Sequence, residues 1–170
     1  MYKRQGNSFI LDKNGSKIKQ LRSFSEELSS WEIDQTKPEK NKLETSDMSS
    51  IFDALVLGVK DYAKKCGFKT ALVGLSGGID SALVSAIATA ALGSENVYCV
   101  SMPSKWSSSH SKSDAKDLAK RLKISFKSIR IEKLMTSFEE SFIKTIDFKM
   151  AEITNQNIQS RIRGLSLIHI

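Results

Sequence analysis

Near the N-terminus, two short segments with apolar positions flank a central turn, which is typical of a β-hairpin. A short apolar run (residues 8–11) and an alternating segment (residues 17–21) flank the Asn14-Gly15 pair. This pair is a strong hairpin signal, because both positions of such a turn favour a positive φ. Since a hairpin alone is only marginally stable in water, we expect residues 1–30 to form the end of a preceding domain.

A polar segment, residues 31–50, separates this hairpin from alternating helix and strand patterns. It is rich in Lys, Glu, Thr and Ser, offers little to bury and is predicted to be a linker. Beyond it, apolar positions spaced three and four apart predict helices, and short apolar or alternating runs predict strands. The run Thr70–Leu75 is almost continuously apolar, as in a parallel strand buried on both faces. The predicted elements are a helix over 51–66 capped by Ser49 or Ser50 and ended by Gly67, a strand over 70–75, a helix over 79–92, a strand over 96–102, a helix from Ser111 or Ser113 to Leu122, a strand over 126–131 and a helix over 134–146.

Strands that alternate with helices predict the fold class. The order is that of an α/β protein with a doubly wound, Rossmann-like parallel sheet. Three predicted strands leave the sheet with an open edge, so we expect a truncated version of this fold.

Composition places the chain among ordinary globular proteins. Of its 170 residues, 40% are apolar and 26% are charged, which excludes collagen and wholesale disorder. No apolar run approaches the roughly 18 residues of a membrane-spanning helix, and the N-terminus has no apolar signal core. We therefore expect a cytoplasmic protein with no membrane partner. Cys66 and Cys99 are too few for a disulfide framework and are predicted to be reduced.

The net charge of +7 raises the question of nucleic acid. Residues 101–170 carry thirteen Lys and Arg against seven Asp and Glu, so most of the surplus lies there. These basic residues fall mainly on the polar faces of predicted helices, interleaved with acids and without aromatic neighbours for base stacking. We expect no nucleic-acid partner; the charges form a solvated surface or lie near an anionic substrate.

The candidate chemistry lies in the loop between the first predicted strand of the sheet and its helix. The Gly77-Gly78 pair allows a tight turn that brings N–H groups against a ligand, and the following helix directs its positive dipole end to the same place. The hydroxyls of Ser76 and Ser81 add donors, whereas Asp80 fits a phosphate site only with a cation between them, which implies Mg²⁺. The plainer alternative is a tight turn with an acid at a helix N-terminus. The candidate ATP-binding residues are Gly74, Leu75, Ser76, Gly77, Gly78, Ile79, Asp80 and Ser81, with Asp80 as the metal ligand.

This loop is not a Walker A motif, because Ile-Asp-Ser stands where Gly-Lys-[Ser/Thr] is needed. The stretch SGGIDS resembles instead the PP-loop of the N-type ATP pyrophosphatases. The wider sequence resembles the glutamine-dependent NAD⁺ synthetases of that class, from the opening GNSFILDKNGSKIKQLRSFSEEL to NQNIQSRIRG near the end. The resemblance implies that ATP adenylates deamido-NAD⁺ and that glutamine-derived ammonia then displaces AMP.

The resemblance also assigns residues near the C-terminus. It implies that Asn157 and Arg161 contact deamido-NAD⁺, with Arg163 a weaker candidate; the alternative is that the arginines pair with local acids. Gln156 departs from the family's usual Glu, and Met102 and Pro103 are expected beside the adenosine of ATP. We expect His110 to be a surface or polar-network residue rather than a catalytic one.

The resemblance divides the chain. Residues 1–30 resemble the end of a nitrilase-like glutaminase domain, and 51–164 resemble the first half of the synthetase domain. Segments 1–5 and 165–170 lack the family pattern, and we leave them out of the predicted fold. We therefore expect a middle slice of a homo-oligomeric ligase that does not itself synthesise NAD⁺. Another PP-loop enzyme and a non-catalytic nucleotide-binding module are the alternatives.

Overall fold

The computed structural model describes residues 6–32, 47–146 and 152–169. The chain divides into two compact units, Met1–Tyr62 and Ala63–Ile170. None of the helices in these described ranges is both long and apolar enough to cross a bilayer. The elements in chain order are β1 (Phe9–Leu11), β2 (Lys17–Gln20), α1 (Asp47–Cys66), β3 (Ala71–Gly74), α2 (Ile79–Leu92), β4 (Val97–Ser101), α3 (Ser109–Leu122), β5 (Ser125–Ser128), α4 (Glu132–Ile146) and α5 (Glu152–His169).

The predicted hairpin is confirmed, but its turn is built differently. β1 and β2 pair antiparallel, with Phe9 opposite Gln20. The Asp12 carboxylate accepts hydrogen bonds from the N–H groups of Asn14 and Ser16, both at 2.8 Å. Among the described residues, Gly15 has a positive φ of 81° and Asn14 does not. The expectation of two positive φ values is wrong, because an aspartate side chain organises a longer loop.

Helix α1 ends where the sequence predicts. Gly67 has a φ of 73°, and its N–H group donates to the carbonyl of Lys64 at 3.3 Å. The Phe68 N–H group donates to the carbonyl of Ala63 at 2.9 Å, which completes a Schellman motif. The helix begins at Asp47, earlier than predicted, so the last residues of the expected linker are helical. Residues 33–46 of that linker and segment 1–5 lie outside the described residues.

The sheet of the second unit is parallel, in the order β3–β4–β5. Central strand β4 is buried except at Tyr98, whereas every residue of β3 is only half-buried. The expectation that the first strand is buried on both faces is therefore wrong, since β3 has one strand neighbour among the described residues. β5 ends at Ser128, although hydrogen bonds from Ile129 and Ile131 keep the chain beside the end of β4.

Helices cover both faces of this sheet, which confirms the doubly wound α/β class. On one face, α2 and α3 pack Ala88, Ala115 and Ala119 against Val97 and Cys99. On the other face, residues of α4 and α5 pack against the sheet. That second cluster contains Leu72, Val100, Met102, Ile131, Met135, Ile162 and Leu167.

Helix α5 corrects the predicted limit of the fold. Residues 165–170 were expected to lie outside it, but α5 continues to His169. Leu167 packs against the cluster of Val100 and Met102. Leu167 therefore belongs to the core, whereas Leu165 and Ile168 are exposed, and the origin of residues 165–170 stays a prediction.

Candidate nucleotide-binding site

The loop of residues 76–81 turns from the carboxyl end of β3 into α2 and is braced by its own serines. The Ser76 and Ser81 hydroxyl oxygens lie 3.0 Å apart. The Ser81 Oγ atom accepts from the Ser76 N–H group at 3.2 Å and donates to the Gly78 carbonyl at 2.9 Å. The Ser76 Oγ atom accepts from the Gly78 N–H group at 3.2 Å. The two serines predicted as phosphate donors thus also fix the loop's shape.

Gly77 is where this loop touches α3. Its φ of 89° lies in the left-handed region that favours glycine. An added Cβ would overlap the backbone of Ser111, lying 2.8 Å from its Cα atom. Gly78, by contrast, has an extended backbone (φ −85°), and a Cβ there would meet only the Ser76 hydroxyl at 3.4 Å.

The start of α2 is a candidate anion site. The Ala82 N–H group donates to the Gly78 carbonyl at 3.1 Å, so the N–H groups of the first turn precede any intrahelical acceptor. Their dipoles favour a negative group at this end. Asp80 is exposed in the same turn.

The predicted Mg²⁺ site fits these residues in one arrangement. In the described parts of the chain, no group of three His, Cys, Asp or Glu side chains could hold a metal ion. Mg²⁺ is commonly held by one or two carboxylates together with substrate phosphates and water. Asp80 would therefore supply the carboxylate, and the ligand phosphates would supply most of the remaining oxygens.

Two cavities lie at the carboxyl edge of the sheet, where α/β proteins bind ligands. The smaller, of about 220 Å³, is lined by Gly74, Leu75, Ser76, Val100, Ser101, Met102, Pro103, Ser107, Ser111, Lys112, Arg163 and Leu167. The larger, of about 470 Å³, is lined by Ser76, Trp106, Ser107, Ser108, Ser111, Asn155, Gln156, Gln159 and Arg163. No Asp or Glu belongs to either set of described lining residues, whereas Lys112 and Arg163 do, so the walls favour an anionic ligand.

Arg163 lies in the wall that both cavities share. Its Nε atom donates to the Met102 carbonyl at 3.1 Å. With the Gln159 amide turned to satisfy both neighbours, its Oε1 atom accepts from Arg163 Nη2 at 2.6 Å and from the Ser104 hydroxyl at 2.7 Å. Burial lowers the pKa of the Arg163 guanidinium, because the charged form loses hydration.

The structure separates the predicted substrate residues from these cavities. Asn157 and Arg161 are both exposed on α5, and neither is among the described lining residues of these two cavities. Leu167 lines the smaller cavity, and the polar α5 residues that line the two cavities are Asn155, Gln156, Gln159 and Arg163. Three of these are spaced four apart, so they share one helix face, and this polar periodicity was the signal that could have found them. The roles of Asn157 and Arg161 stay predictions.

The remaining residues singled out by the sequence lie in or near the two cavities or on the surface. The adenosine candidates Met102 and Pro103 line the smaller cavity, and His110 is exposed. Gln156 lines the larger cavity, so a charge at that position would face the ligand space. The Oδ1 atom of Asn155 is buried and has no hydrogen-bond partner in the described parts of the chain.

A parallel sheet with helices on both faces and a glycine-rich loop at its carboxyl edge defines an α/β domain of the PP-loop, Rossmann-like class. The sequence profile of the NAD synthase family matches residues 51–170, and the chain belongs to that family. It is 41% identical to a glutamine-dependent NAD(+) synthetase of Synechocystis over 97% of its length and 30% of that relative's. It is 44% identical to the Aquifex aeolicus relative of the same name over 70% of the chain and 21% of that protein.

Comparison with solved structures identifies the same family. The glutamine-dependent NAD⁺ synthetase of Acinetobacter baumannii, in complex with ADP, superposes with a TM-score of 0.87 at 34% identity, over 97% of this chain and 32% of that one. The NH₃-dependent NAD synthetase of Campylobacter jejuni gives 0.65 at 28% identity, over 73% of this chain and 52% of that one. The predicted family is confirmed. The chain spans about a third or less of the glutamine-dependent relatives it matches.

Proposed function

We propose that this chain is a segment of a glutamine-dependent NAD⁺ synthetase, a carbon–nitrogen ligase that uses ATP and glutamine-derived ammonia to convert deamido-NAD⁺ into NAD⁺. The observation that carries the proposal is the serine-braced loop at the carboxyl edge of β3, which borders two cavities whose described lining residues include no Asp or Glu. Relatives that cover almost the whole chain carry this activity in their names.

The reaction has two steps. A carboxylate oxygen of deamido-NAD⁺ attacks the α-phosphorus of ATP, the bond to the β-phosphate oxygen breaks, and pyrophosphate leaves. Ammonia then attacks the acyl carbon, AMP leaves with the bonding pair, and the nitrogen loses a proton to give the amide. Mg²⁺ bound at Asp80 would neutralise phosphate charge during the first step.

The loop residues serve the leaving group. The N–H groups of the first turn of α2 would donate hydrogen bonds to the pyrophosphate oxygens. Arg163 in the wall shared by the two cavities would add a charged donor. Fixed donors that match a developing negative charge lower the barrier, because they need no reorientation during the reaction.

The substrate residues follow from the family motif. Asn157 and Arg161 would bind deamido-NAD⁺, which would then lie along the exposed face of α5 outside the two cavities. An arginine fork suits a dinucleotide's phosphate or carboxylate.

The domain order is proposed in the same way. Residues 1–30 would end a nitrilase-like glutaminase domain that releases ammonia, and 51–164 would form the first half of the synthetase domain. The intact protein would be a homo-oligomer in the cytoplasm. The Acinetobacter structure supports the proposed domain order, because its match covers 97% of the chain.

The test is a product analysis of the intact protein. With ATP, Mg²⁺, deamido-NAD⁺ and either glutamine or ammonium, we expect NAD⁺, AMP and pyrophosphate in equal amounts by chromatography. AMP and pyrophosphate without NAD⁺ would indicate another PP-loop enzyme, and ATP binding without turnover a non-catalytic module. ADP and phosphate as products would contradict the proposed chemistry.

A further inference from the structure

Arg163 carries a positive charge that no carboxylate neutralises in the described parts of the chain. A guanidinium stays protonated at neutral pH even where burial weakens its hold on the proton. Its charge therefore persists, half-buried, in the wall common to both cavities.

In the described parts of the chain, the groups that orient this charge are neutral. The Met102 carbonyl at the end of β4 accepts from the Nε atom, and the Gln159 amide oxygen accepts from the Nη2 atom. Gln159 is itself held by the hydroxyl of Ser104, which is only 3% exposed. Arg163 is thus tied to the sheet and to its own helix.

The identity of residue 159 matters because an amide and a carboxylate would act differently. Both can accept hydrogen bonds from a guanidinium and from a serine hydroxyl. A carboxylate would also cancel the positive charge and compete with an anionic ligand, whereas an amide orients the guanidinium and leaves its charge available.

We propose that Gln159, anchored by Ser104, is a positioning residue that holds the Arg163 guanidinium to receive a phosphate group of the bound nucleotide. The identity of the nucleotide rests on the proposed function. The phosphate-binding role rests on the cavities, whose wall also contains Ser76 of the loop.

The test compares Gln159→Glu, Gln159→Ala and the control Ser160→Glu in the intact protein. Ser160 is the exposed neighbour on α5, so its variant adds the same charge without lining either cavity. Isothermal titration with inorganic pyrophosphate measures binding, and thermal unfolding measures stability. We expect Gln159→Glu to keep or raise the Tm, because it gains an ion pair with Arg163, yet to bind pyrophosphate about tenfold or more weakly.

The alanine variant identifies the route of the effect. Gln159→Ala weakens pyrophosphate binding, but in the Arg163→Ala background it produces no further loss, because the amide acts through the guanidinium. Additive losses would show that Gln159 contacts the ligand directly and would overturn the positioning role. Wild-type binding by Gln159→Glu would also overturn it.

The two proposals fail differently. If the wild-type protein forms NAD⁺ and binds pyrophosphate while the residue-159 variants match it, only the positioning role is wrong. If the wild-type protein binds pyrophosphate but makes no NAD⁺, the proposed function is wrong and the phosphate site stands. Absence of pyrophosphate binding by the folded wild-type protein contradicts the positioning role outright.

Discussion

Gly77 and Gly78 are neighbours in sequence, but their surroundings differ. An alanine Cβ at 77 meets the Ser111 backbone at a φ of 89°, whereas at 78 it meets one hydroxyl at an ordinary φ. We expect Gly77→Ala to lower the free energy of unfolding by about 1–3 kcal/mol. Gly78→Ala should change it by less than about 0.5 kcal/mol. Thermal unfolding followed by circular dichroism checks the difference.

Comparing the alanine variants of Gly77 and Gly78 also distinguishes an effect on folding stability from an effect on ATP binding. Because Gly78→Ala leaves the loop folded, any loss of ATP affinity in that variant reports how closely the phosphates approach the backbone. Equal unfolding temperatures for the two variants would contradict the close contact between the loop and α3.

Asp80 is the single carboxylate of the loop and the expected Mg²⁺ ligand. Asp80→Asn removes the charge but keeps a similar side chain at the exposed start of α2. We expect kcat/KM for ATP to fall on the order of a hundredfold, because phosphate charge is then poorly neutralised. Steady-state kinetics across a Mg²⁺ titration measure this change. The matched control is Asp114→Asn, because Asp114 is an exposed acid on α3 that lines neither cavity. An unchanged dependence of the rate on Mg²⁺ in Asp80→Asn would refute the assignment of Asp80 as the metal ligand.

At the scale of the helix, α5 presents its two arginines in different directions. Residues two apart in an α-helix are separated by about 200° around its axis, so Arg161 and Arg163 cannot share a cavity wall. We expect Arg161→Ala to raise the KM for deamido-NAD⁺ more than that for ATP, and Arg163→Ala to do the reverse. Arg161→Lys should recover only part of the loss, since an ammonium cannot reproduce the planar fork.

The kinetic comparison needs an arginine with no role in binding. Arg121 on α3 is exposed and paired with Asp117, so Arg121→Ala should leave both KM values unchanged. Equal effects of Arg161→Ala on both substrates would indicate a structural arginine.

The end of α5 allows a test of whether residues 165–169 belong to the fold. Leu167 packs against the sheet, and its neighbour Ile168 is 83% exposed. Leu167→Ala should lower the free energy of unfolding by about 1–2 kcal/mol, below the value for a fully buried leucine. Ile168→Ala should have little effect on the unfolding temperature. Equal small effects would place this segment outside the core.

Sequence periodicity identified elements whose boundaries are set locally. Helix α2 occupies the predicted range 79–92, because a glycine precedes it and Gly93 follows it. Half-burial of β3 was not predictable, since it depends on strand order, a property of the whole sheet. Likewise, the motif favoured Arg161 and could not show that Arg163 is the arginine that lines the cavities, because the inward face of a polar helix depends on its packing partner.

At the scale of the whole molecule, we expect the chain to carry only part of what the proposed reaction needs. It spans about 30% of the relatives that match it over almost its full length. We expect the purified 170-residue chain to form no NAD⁺ from deamido-NAD⁺, ATP and ammonium, and to hydrolyse no glutamine. Coupled detection of NAD⁺ measures the first activity and glutamate release the second. The intact protein is the positive control, and turnover by the chain alone would show that the remaining length is dispensable.

The hydrogen bonds of Ser76 and Ser81 and the contact of Gly77 with α3 make residues 76–81 a preorganised loop rather than one that closes over its ligand. Its hydrogen bonds are already made, and the backbone of α3 limits its movement at Gly77. Little conformational entropy then remains to be lost in this segment when a phosphate arrives, so more of the interaction energy is retained as affinity. Preorganisation of this kind leaves the rates of nucleotide entry and product departure to groups outside the loop.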